Sequence, residues 1–564
     1  MTGMRHHAGA DPEQVFDVLI IGGGITGAWT ALDCSLRGMS TALIEKNDFG
    51  SATSMRSSRL LHGGIRYLQQ LELAKVRESS RERAFLIRCA PHMVEHLPFI
   101  VPTYRGLRQG RGFLFSGMLA YRLLTLGTQA PLTDPATRIP ADKALSREQT
   151  LAEGLLNSER ITGGRVLYEA QMHSSERMTF SVIDTARAFG ATTLNYVAME
   201  NYCITDHKVT GVQIRNHGSG ESNRIQARLV INAAGPWCDS LNQPASLQKL
   251  NSGFARGAHI ITRPLLGNYA VALPSAFRAD GIATRGNRHV FVIPWRGCSL
   301  IGTSYLETDT PSEAPTPTDS EIDQLIETIN AALPQANLSR ADIRQSFAGY
   351  YPLQSPAIQH GVYQGTGEYQ LVDHSVTDHL DGLITALGAK FTTGRRLGEL
   401  AAQLAEKKLG RASVKSPANP TRRVCLRGGD IADLASFRAD CLRRYQVLWS
   451  ESTCQHLVSN YGSRIHEIAN LCQTRPDLAQ PLVPERDTIG AQVVWAAQQE
   501  SVVHLADILF RRTDLCLLGD PGDTVLAYCA QLAGAALEWD REKQRAELEL
   551  VRIELARSIP TPGN

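Results

Sequence analysis

Apolar and polar positions follow two different rhythms along this chain. Up to about residue 409, short β-branched and aliphatic runs alternate with stretches that carry apolar residues at helical spacing, and glycines mark many of the joins. That alternation predicts an α/β body. Residues 410–423, GRASVKSPANPTRR, are rich in Ser, Pro and basic side chains and read as a linker. From 424 to 564 the rhythm becomes helical throughout. ASFRADCLRRYQVLWSESTCQHLVSNYG and AQVVWAAQQESVVHLADILFRRTD predict a separate helical domain. The last segment, LEWDREKQRAELELVRIELARS, predicts a highly charged helix with solvated faces.

One strand-to-helix join carries chemistry. In FDVLIIGGGITGAWTALDCSLRGMSTALIEKNDFG, Val18 to Ile21 predict a strand and Thr26 to Arg37 the following helix. Gly38 ends that helix, and Thr41 to Ile44 predict a second strand. Gly22, Gly24 and Gly27 fit G-x-G-x-x-G, and Glu45 closes the second strand 18 residues after Gly27. Gly22 permits the tight turn, Gly24 lets the backbone approach a pyrophosphate, and Gly27 lets the helix pack on the strand. The helix N-terminus offers free N–H groups and positive dipole to phosphates. Glu45 is placed to accept hydrogen bonds from ribose hydroxyls. The glycines alone are a weak signal; the strands, helix and terminal acid in register predict dinucleotide binding. An acid at position 45 favours an unphosphorylated ribose, and FAD and NAD both fit the motif.

Composition narrows the field. The chain has 564 residues, 43% hydrophobic and 20% charged, enough for a large core and about two to four domains. A net charge of +2 supplies no global field for nucleic acid. Eleven cysteines without a CxxC pair read as thiols in a reducing compartment rather than a disulfide frame or zinc site, so no metal is expected. MTGMRHHAGADPEQ has no signal-peptide h-region, and no run of 18 apolar residues predicts a spanning helix. Tyr104 to Gly127, YRGLRQGRGFLFSGMLAYRLLTLG, has the mixture of Arg and large apolar residues of an interfacial helix. By composition alone it reads as a helix packed on the protein's own core with a basic edge in water.

The stretch after Glu45 separates FAD from NAD. EKNDFGSATSMRSSRLLHGGIRYL, with Ser57-Ser58-Arg59-Leu60-Leu61-His62-Gly63-Gly64-Ile65-Arg66-Tyr67, resembles the FAD-dependent glycerol-3-phosphate dehydrogenases, respiratory flavoenzymes with a glycine-oxidase-like substrate domain. INAAGPWCDSL (Ile231 to Leu241), RGAHII (Arg256 to Ile261), VFVIPWRGCSLIGTS (Val290 to Ser304) and LGAKFTTGRRLGE (Leu387 to Glu399) resemble further segments of that family, as does the helical region from Trp495 to Leu515. The resemblance spans nearly the whole chain. It implies a Rossmann-like FAD-binding domain interleaved with a mixed α+β substrate domain within residues 1–409, followed by the helical domain.

The resemblance also implies site residues. Non-covalent FAD is expected to contact Gly22, Gly24, Gly27, Glu45, Lys46, Thr53, Ser54, Ser58, His62, Gly63, Gly64, Val197, Ala234, Gly235, Trp237, Gly388, Lys390, Phe391 and Thr392. Gly63 and Gly64 are expected to let the backbone lie against the flat flavin, where a Cβ would clash. Arg66 and Lys390 are the implied cations, His62 or His259 the implied proton acceptor, and Tyr67 faces cofactor or substrate. Arg395 and Arg396 are expected to add positive charge. Thr392 and the amides near Phe391, at a helix N-terminus, are implied to hold the flavin O2 carbonyl. The implied partners are a small anionic substrate and a membrane quinone, with peripheral attachment on the cytoplasmic face; a homodimer is compatible with this. Two positions depart from the family pattern. GYYPL puts Tyr351 where the family has an Arg that points at the substrate, and Tyr305 replaces the usual acid after I-G-T. Losing Arg removes a permanent charge and a bidentate clamp. Glycerol 3-phosphate, another polyol phosphate, and a hydroxy- or amino-acid-like substrate therefore stay open, as does oxygen as acceptor. A flavin-bound scaffold is the third reading, and the retained Arg66, Tyr67 and Lys390 argue against it.

Overall fold

The Val15–Ile21 strand sits at the centre of a sheet because it is apolar on both faces. Val18, Leu19 and Ile20 are all 0% exposed, which requires cover on both sides. The computed structural model describes residues 14–68, 71–105, 110–152, 161–250, 253–279, 286–308, 311–353, 368–411 and 418–560. Val15–Ile21 pairs in parallel with Thr41–Glu45 on one side and Ser222–Asn232 on the other. Leu383–Leu387 and Thr192–Asn195 extend the parallel array, and Gln370–Asp373 closes one edge antiparallel. The covering helix, Ile25–Leu36, is itself buried nearly all round, with Trp29 and Leu32 at 0% exposure. Each such buried aliphatic side chain contributes roughly 1.5–3 kcal/mol. The Gly394–Lys408 helix approaches so closely that a Cβ on Gly398 would lie 2.8 Å from the Thr30 nitrogen.

A second, mostly antiparallel sheet carries the strands Gly253–Thr262, Cys298–Gly302, Gly286–Trp295, Ala270–Ala279, Val94–Tyr104 and Ile161–Met172 in that order. Ile343–Leu353 pairs with the free side of Gly253–Thr262. Because Val94–Tyr104 and Ile161–Met172 come between strands of the first sheet in sequence, the two sheets interleave along the chain. This is the predicted α/β architecture with its mixed α+β second layer. The Asp319–Ala332 helix covers the second sheet and starts with a capping box from Thr318 and Glu321.

From residue 418 to 560 the described chain is helical, from Leu434–Tyr445 to Arg541–Ser558, without a strand. This region is fastened to the body by buried ion pairs. Arg177 meets Glu500 at 2.9 Å, and Asp48 meets Arg511 at 2.6 Å and Arg512 at 2.8 Å. All eleven cysteines are free thiols. Among the described residues no helix is long and apolar enough to cross a membrane.

Candidate cofactor and substrate site

At the carboxyl ends of the parallel strands the chain encloses a cavity of about 1510 Å³. That is where open α/β sheets bind ligands. Its floor is the turn after Val15–Ile21. Gly22 has φ +105°, and a Cβ there would meet the Ala233 carbonyl oxygen at 2.7 Å. A Cβ on Gly27 would lie 1.9 Å from the Gly22 carbonyl oxygen, so only glycine allows the helix this close. The Ile25 amide at the helix N-terminus donates to Ser54 Oγ at 2.9 Å. Glu45 accepts from the Gly23 amide at 2.7 Å and the Asn47 amide at 2.9 Å, which fixes its carboxylate at the strand end. Burial pushes the Glu45 carboxyl above its usual range, and those two amides oppose the shift.

Every predicted cofactor residue lines the cavity except Gly27 and Gly63. Gly27 does the packing work expected of it. For the Gly63–Gly64 pair the structure gives a different reason from the expected one. A Cβ on Gly63 would meet the Tyr121 hydroxyl at 2.2 Å and Arg83 Nη1 at 2.5 Å, and one on Gly64 would lie 3.0 Å from Ser79 Cβ. Gly64 has φ +81°. Both glycines make room for protein, the Leu73–Cys89 helix and its neighbour, rather than for a flavin. The same contacts brace the segment. The Gly63 amide donates to Glu169 Oε2 at 2.7 Å, Arg83 pairs with the same oxygen, and Tyr121 Oη donates to the Gly63 carbonyl at 3.1 Å. Burial raises the Glu169 carboxyl, with Arg83 and the Gly63 amide opposing.

The residues that line the cavity fit an FAD. Thr392 Oγ1 and Trp237 Nε1 are buried without a hydrogen-bond partner among the described residues. Each leaves an unsatisfied polar atom on a residue that lines the cavity. Thr392 stands just before the Gly394–Lys408 helix, close to the N-terminal amides.

The predicted catalytic residues fall into three groups on the wall. Lys390 Nζ lies 4.1 Å from the Tyr67 ring centroid, and the His62 and Tyr67 rings are 6.0 Å apart. Lys75 reaches the same ring at 5.8 Å. His259 forms the second group. Its Nε2 lies 2.9 Å from Ser58 Oγ in a hydrogen bond, and its ring stacks on Phe347 at 5.1 Å. Tyr351 forms the third, packed with Ala255, Tyr305 and Leu353. The two departures from the family pattern are thus neighbours. The Arg66 side chain lies outside the described residues. Arg395 and Arg396 do not line the cavity, against expectation. Arg395 is 0% exposed between Glu82 at 2.7 Å and Glu399 at 2.8 Å, and Arg396 pairs with Glu399 at 3.0 Å. Their charge is neutralised within the fold.

Residues 17–404 match the family described as FAD dependent oxidoreductase, and residues 419–544 match the C-terminal domain of alpha-glycerophosphate oxidase. A glycerol-3-phosphate dehydrogenase of Synechocystis is 34% identical over 543 residues, covering 94% of each chain. The chain belongs to the FAD-dependent glycerol-3-phosphate dehydrogenase family. An aerobic glycerol-3-phosphate dehydrogenase of Staphylococcus saprophyticus is 31% identical over 512 residues, covering 89% of this chain and 87% of its own. The crystal structure of the Bacillus halodurans glycerol-3-phosphate dehydrogenase with FAD superposes with a TM-score of 0.75 at 24% identity, covering 98% of this chain and 97% of the other. This family member is an FAD-dependent oxidoreductase, and its glycine loop, Glu45 and Thr392 are arranged accordingly.

Sequence reasoning missed how far the helical region reaches into this family member's site. His504, Ala506, Phe510 and Arg511 line the cavity. Tyr196, beside the predicted Val197, donates to Asp507 at 2.6 Å and packs on the His504 ring at 4.7 Å. It also misjudged the segment around Arg111–Leu124. That helix buries only Met118. Phe115, Leu119 and Leu123, spaced by four and so aligned on one face, are exposed together with Phe113. The helix does not pack its apolar stripe on the protein's own core.

Proposed function

We propose that the protein oxidises sn-glycerol 3-phosphate, or a closely related small anionic alcohol, to the ketone and passes the electrons to a membrane quinone. The observation that carries this reading is the Lys390–Tyr67–His62 group on the wall of a cavity that fits FAD. The Synechocystis and Staphylococcus relatives are glycerol-3-phosphate dehydrogenases, which supports the substrate half of this reading. Bound FAD supplies the hydride acceptor. This chain's residues do the rest. Lys390 holds positive charge beside the substrate, and the cation favours the substrate anion and the negative charge that builds during reduction. His62 or His259 takes the hydroxyl proton as the carbinol hydrogen leaves with its electron pair, so alcohol becomes ketone with one proton and one hydride accounted for. Thr392 and the adjoining helix N-terminus stabilise the electron-rich ring edge.

The exposed stripe supports the quinone and a peripheral site on the cytoplasmic membrane face. Phe113, Leu114, Gly117 and Met118 of the Arg111–Leu124 helix line the cavity, while Phe115, Leu119 and Leu123 of the same helix face outward. One wall of the redox site is therefore the back of an apolar surface of the kind that meets lipid. Replacing Phe115, Leu119 and Leu123 together by Ser is expected to weaken binding to anionic lipid vesicles by about 100-fold or more, since each side chain contributes roughly 1.5–3 kcal/mol on burial. Anaerobic reduction by substrate is expected to stay unchanged. Vesicle sedimentation checks this, and unaltered binding would remove the helix from the membrane contact.

A second reading, an oxidase or an amine or hydroxy-acid dehydrogenase of the same fold, draws on Tyr351 and Tyr305, which put a phenol pair where the family pattern has charge. Turnover assays with glycerol 3-phosphate separate the two. The proposed function predicts ketone formation that depends on added quinone; stoichiometric hydrogen peroxide without quinone would favour the oxidase.

A further inference from the structure

The sheet that carries His259 has a hollow in its cavity face. Strand alternation puts Phe347, Gly349 and Tyr351 on one face, with their register partners His259, Gly257 and Ala255. Gly257 lies opposite Gly349, so two adjacent positions carry no side chain; Thr303 Cβ stands 3.3 Å from where a Cβ on Gly257 would lie, which leaves the hollow over Gly349. The stacked His259 and Phe347 bound the hollow on one side, and Tyr351, packed on Ala255 and Tyr305, bounds it on the other.

The segment from Ser51 to Ser58 lies across this hollow and is pinned at both ends. Thr53 Oγ1 donates to the Tyr350 carbonyl at 3.1 Å, and Ser58 Oγ bonds His259 Nε2 at 2.9 Å. Arg56 lies between them. A Cβ on Gly349 would come within 3.1 Å of both Arg56 Cβ and the Arg56 carbonyl oxygen, so the missing side chain at 349 is what lets Arg56 settle there.

The Arg56 side chain lines the cavity, and it makes no hydrogen bond or ion pair with any described residue. Three other cations on the wall are neutralised, while Lys390 and Arg557 also line it. Lys46 meets Glu313 at 2.7 Å, Arg59 meets Glu176 at 2.6 Å, and Arg511 is held by Asp48 and Asp507, both at 2.6 Å. Burial pulls the Arg56 guanidinium below the usual arginine range; Glu554 opposes this, and Arg511 adds to it. A half-buried guanidinium with five donors and no acceptor is costly unless an oxyanion completes it.

We propose that Arg56 is a substrate-binding residue that takes the phosphoryl group of the substrate, supplying from the Ser51–Ser58 segment the cation that the neighbouring Tyr351 does not. This rests on the proposed function in requiring an anionic alcohol. The same guanidinium chemistry would also suit the cofactor's own pyrophosphate. The same segment reaches the glycine turn through Ser54, which accepts from the Ile25 amide at 2.9 Å, but Arg56 itself packs on Gly349 of the sheet that carries His259, and this favours the substrate.

The test compares wild type with Arg56→Met and Arg56→Lys as holoenzymes. Three quantities are measured: the FAD dissociation constant, the KM and kcat for glycerol 3-phosphate, and the affinity for inorganic phosphate read from perturbation of the oxidised flavin spectrum. Removing a charged hydrogen-bond partner is expected to raise KM and weaken phosphate binding by about 10- to 100-fold in Arg56→Met. FAD affinity should stay within about twofold, Arg56→Lys should fall between, and Tyr351→Arg added to Arg56→Met should recover most of the loss. Loss of FAD in place of substrate affinity would assign Arg56 to the cofactor and overturn the proposal. Unchanged KM and phosphate affinity would overturn it as well, as would phosphate that fails to perturb the wild-type flavin. If glycerol 3-phosphate does not reduce the wild-type flavin, the proposed function falls, and the phosphate measurement still decides the role of Arg56. Should Arg56→Met not fold, Arg56→Lys decides by the same readings.

Discussion

Replacing Gly27 by alanine is expected to yield a protein that purifies largely without flavin. The added methyl would stand 1.9 Å from the Gly22 carbonyl oxygen, far inside van der Waals contact. Neither side can yield cheaply. Gly22 is held by its amide, which donates to the Ile44 carbonyl at 2.8 Å, and the Ala233 carbonyl oxygen occupies the side where a Cβ would stand. The Ile25–Leu36 helix is buried and wedged against Gly398. Overpacking of this kind costs about 1–3 kcal/mol where the core relaxes. Here relaxation moves the helix N-terminus off its aim at the phosphates, so the loss falls on the cofactor. FAD affinity should drop by about 100-fold, read as the flavin-to-protein absorbance ratio and by titration of the apoprotein. A Gly27→Ala protein that holds FAD normally would show that this turn is not the cofactor cradle.

Asp48→Asn should be strongly destabilising. The carboxylate is 0% exposed and receives Arg511 at 2.6 Å and Arg512 at 2.8 Å from a segment more than 450 positions away. Burial alone would raise its pKa, but Arg512 and Arg511 outweigh that and hold it below the usual carboxylate value. Because the folded pKa is depressed, its contribution is present above the unfolded pKa and is lost as pH falls through the folded one. Asparagine keeps the shape and removes the charge, leaving two buried guanidinium groups undercompensated. Breaking a buried pair in this way costs about 3–5 kcal/mol. Urea unfolding at neutral pH should show a loss of unfolding free energy of that size, and the loss should shrink toward low pH, where the wild-type carboxylate is itself protonated. A loss below about 1 kcal/mol would mean that the helical region is fastened by other contacts.

The two predictions mark where sequence reading succeeds and where it stops. The glycine turn was legible because its physics is local. A strand, a turn that needs positive φ, a helix start and an acid follow one another within residues 15–45. The Asp48 cluster was not, because its partners are brought together only by the docking of the helical region. Gly63 and Gly64 show a subtler failure. The sequence reveals that a Cβ is excluded, but not by what. The groups that fill the space, Arg83, Tyr121 and Ser79, lie up to 58 positions away. The Arg111–Leu124 helix was misjudged because composition cannot say whether an apolar stripe faces the core or solvent. Arg395 and Arg396 were misjudged because charge counted in sequence ignores Glu82 and Glu399. Arg56 lies within SATSMRSS, where nothing local marks it as a ligand-binding residue. Only the missing side chain at Gly349 reveals the space it covers.

The central claim, that Lys390, Tyr67, His62 and His259 surround an FAD poised to oxidise a small anionic alcohol, is tested most directly by anaerobic stopped-flow mixing of the purified holoenzyme with glycerol 3-phosphate. Full bleaching of the flavin band in one saturable phase is expected, with one ketone formed per flavin. A flavin that stays oxidised with this substrate and with other polyol phosphates, yet is reduced at once by dithionite, would contradict it.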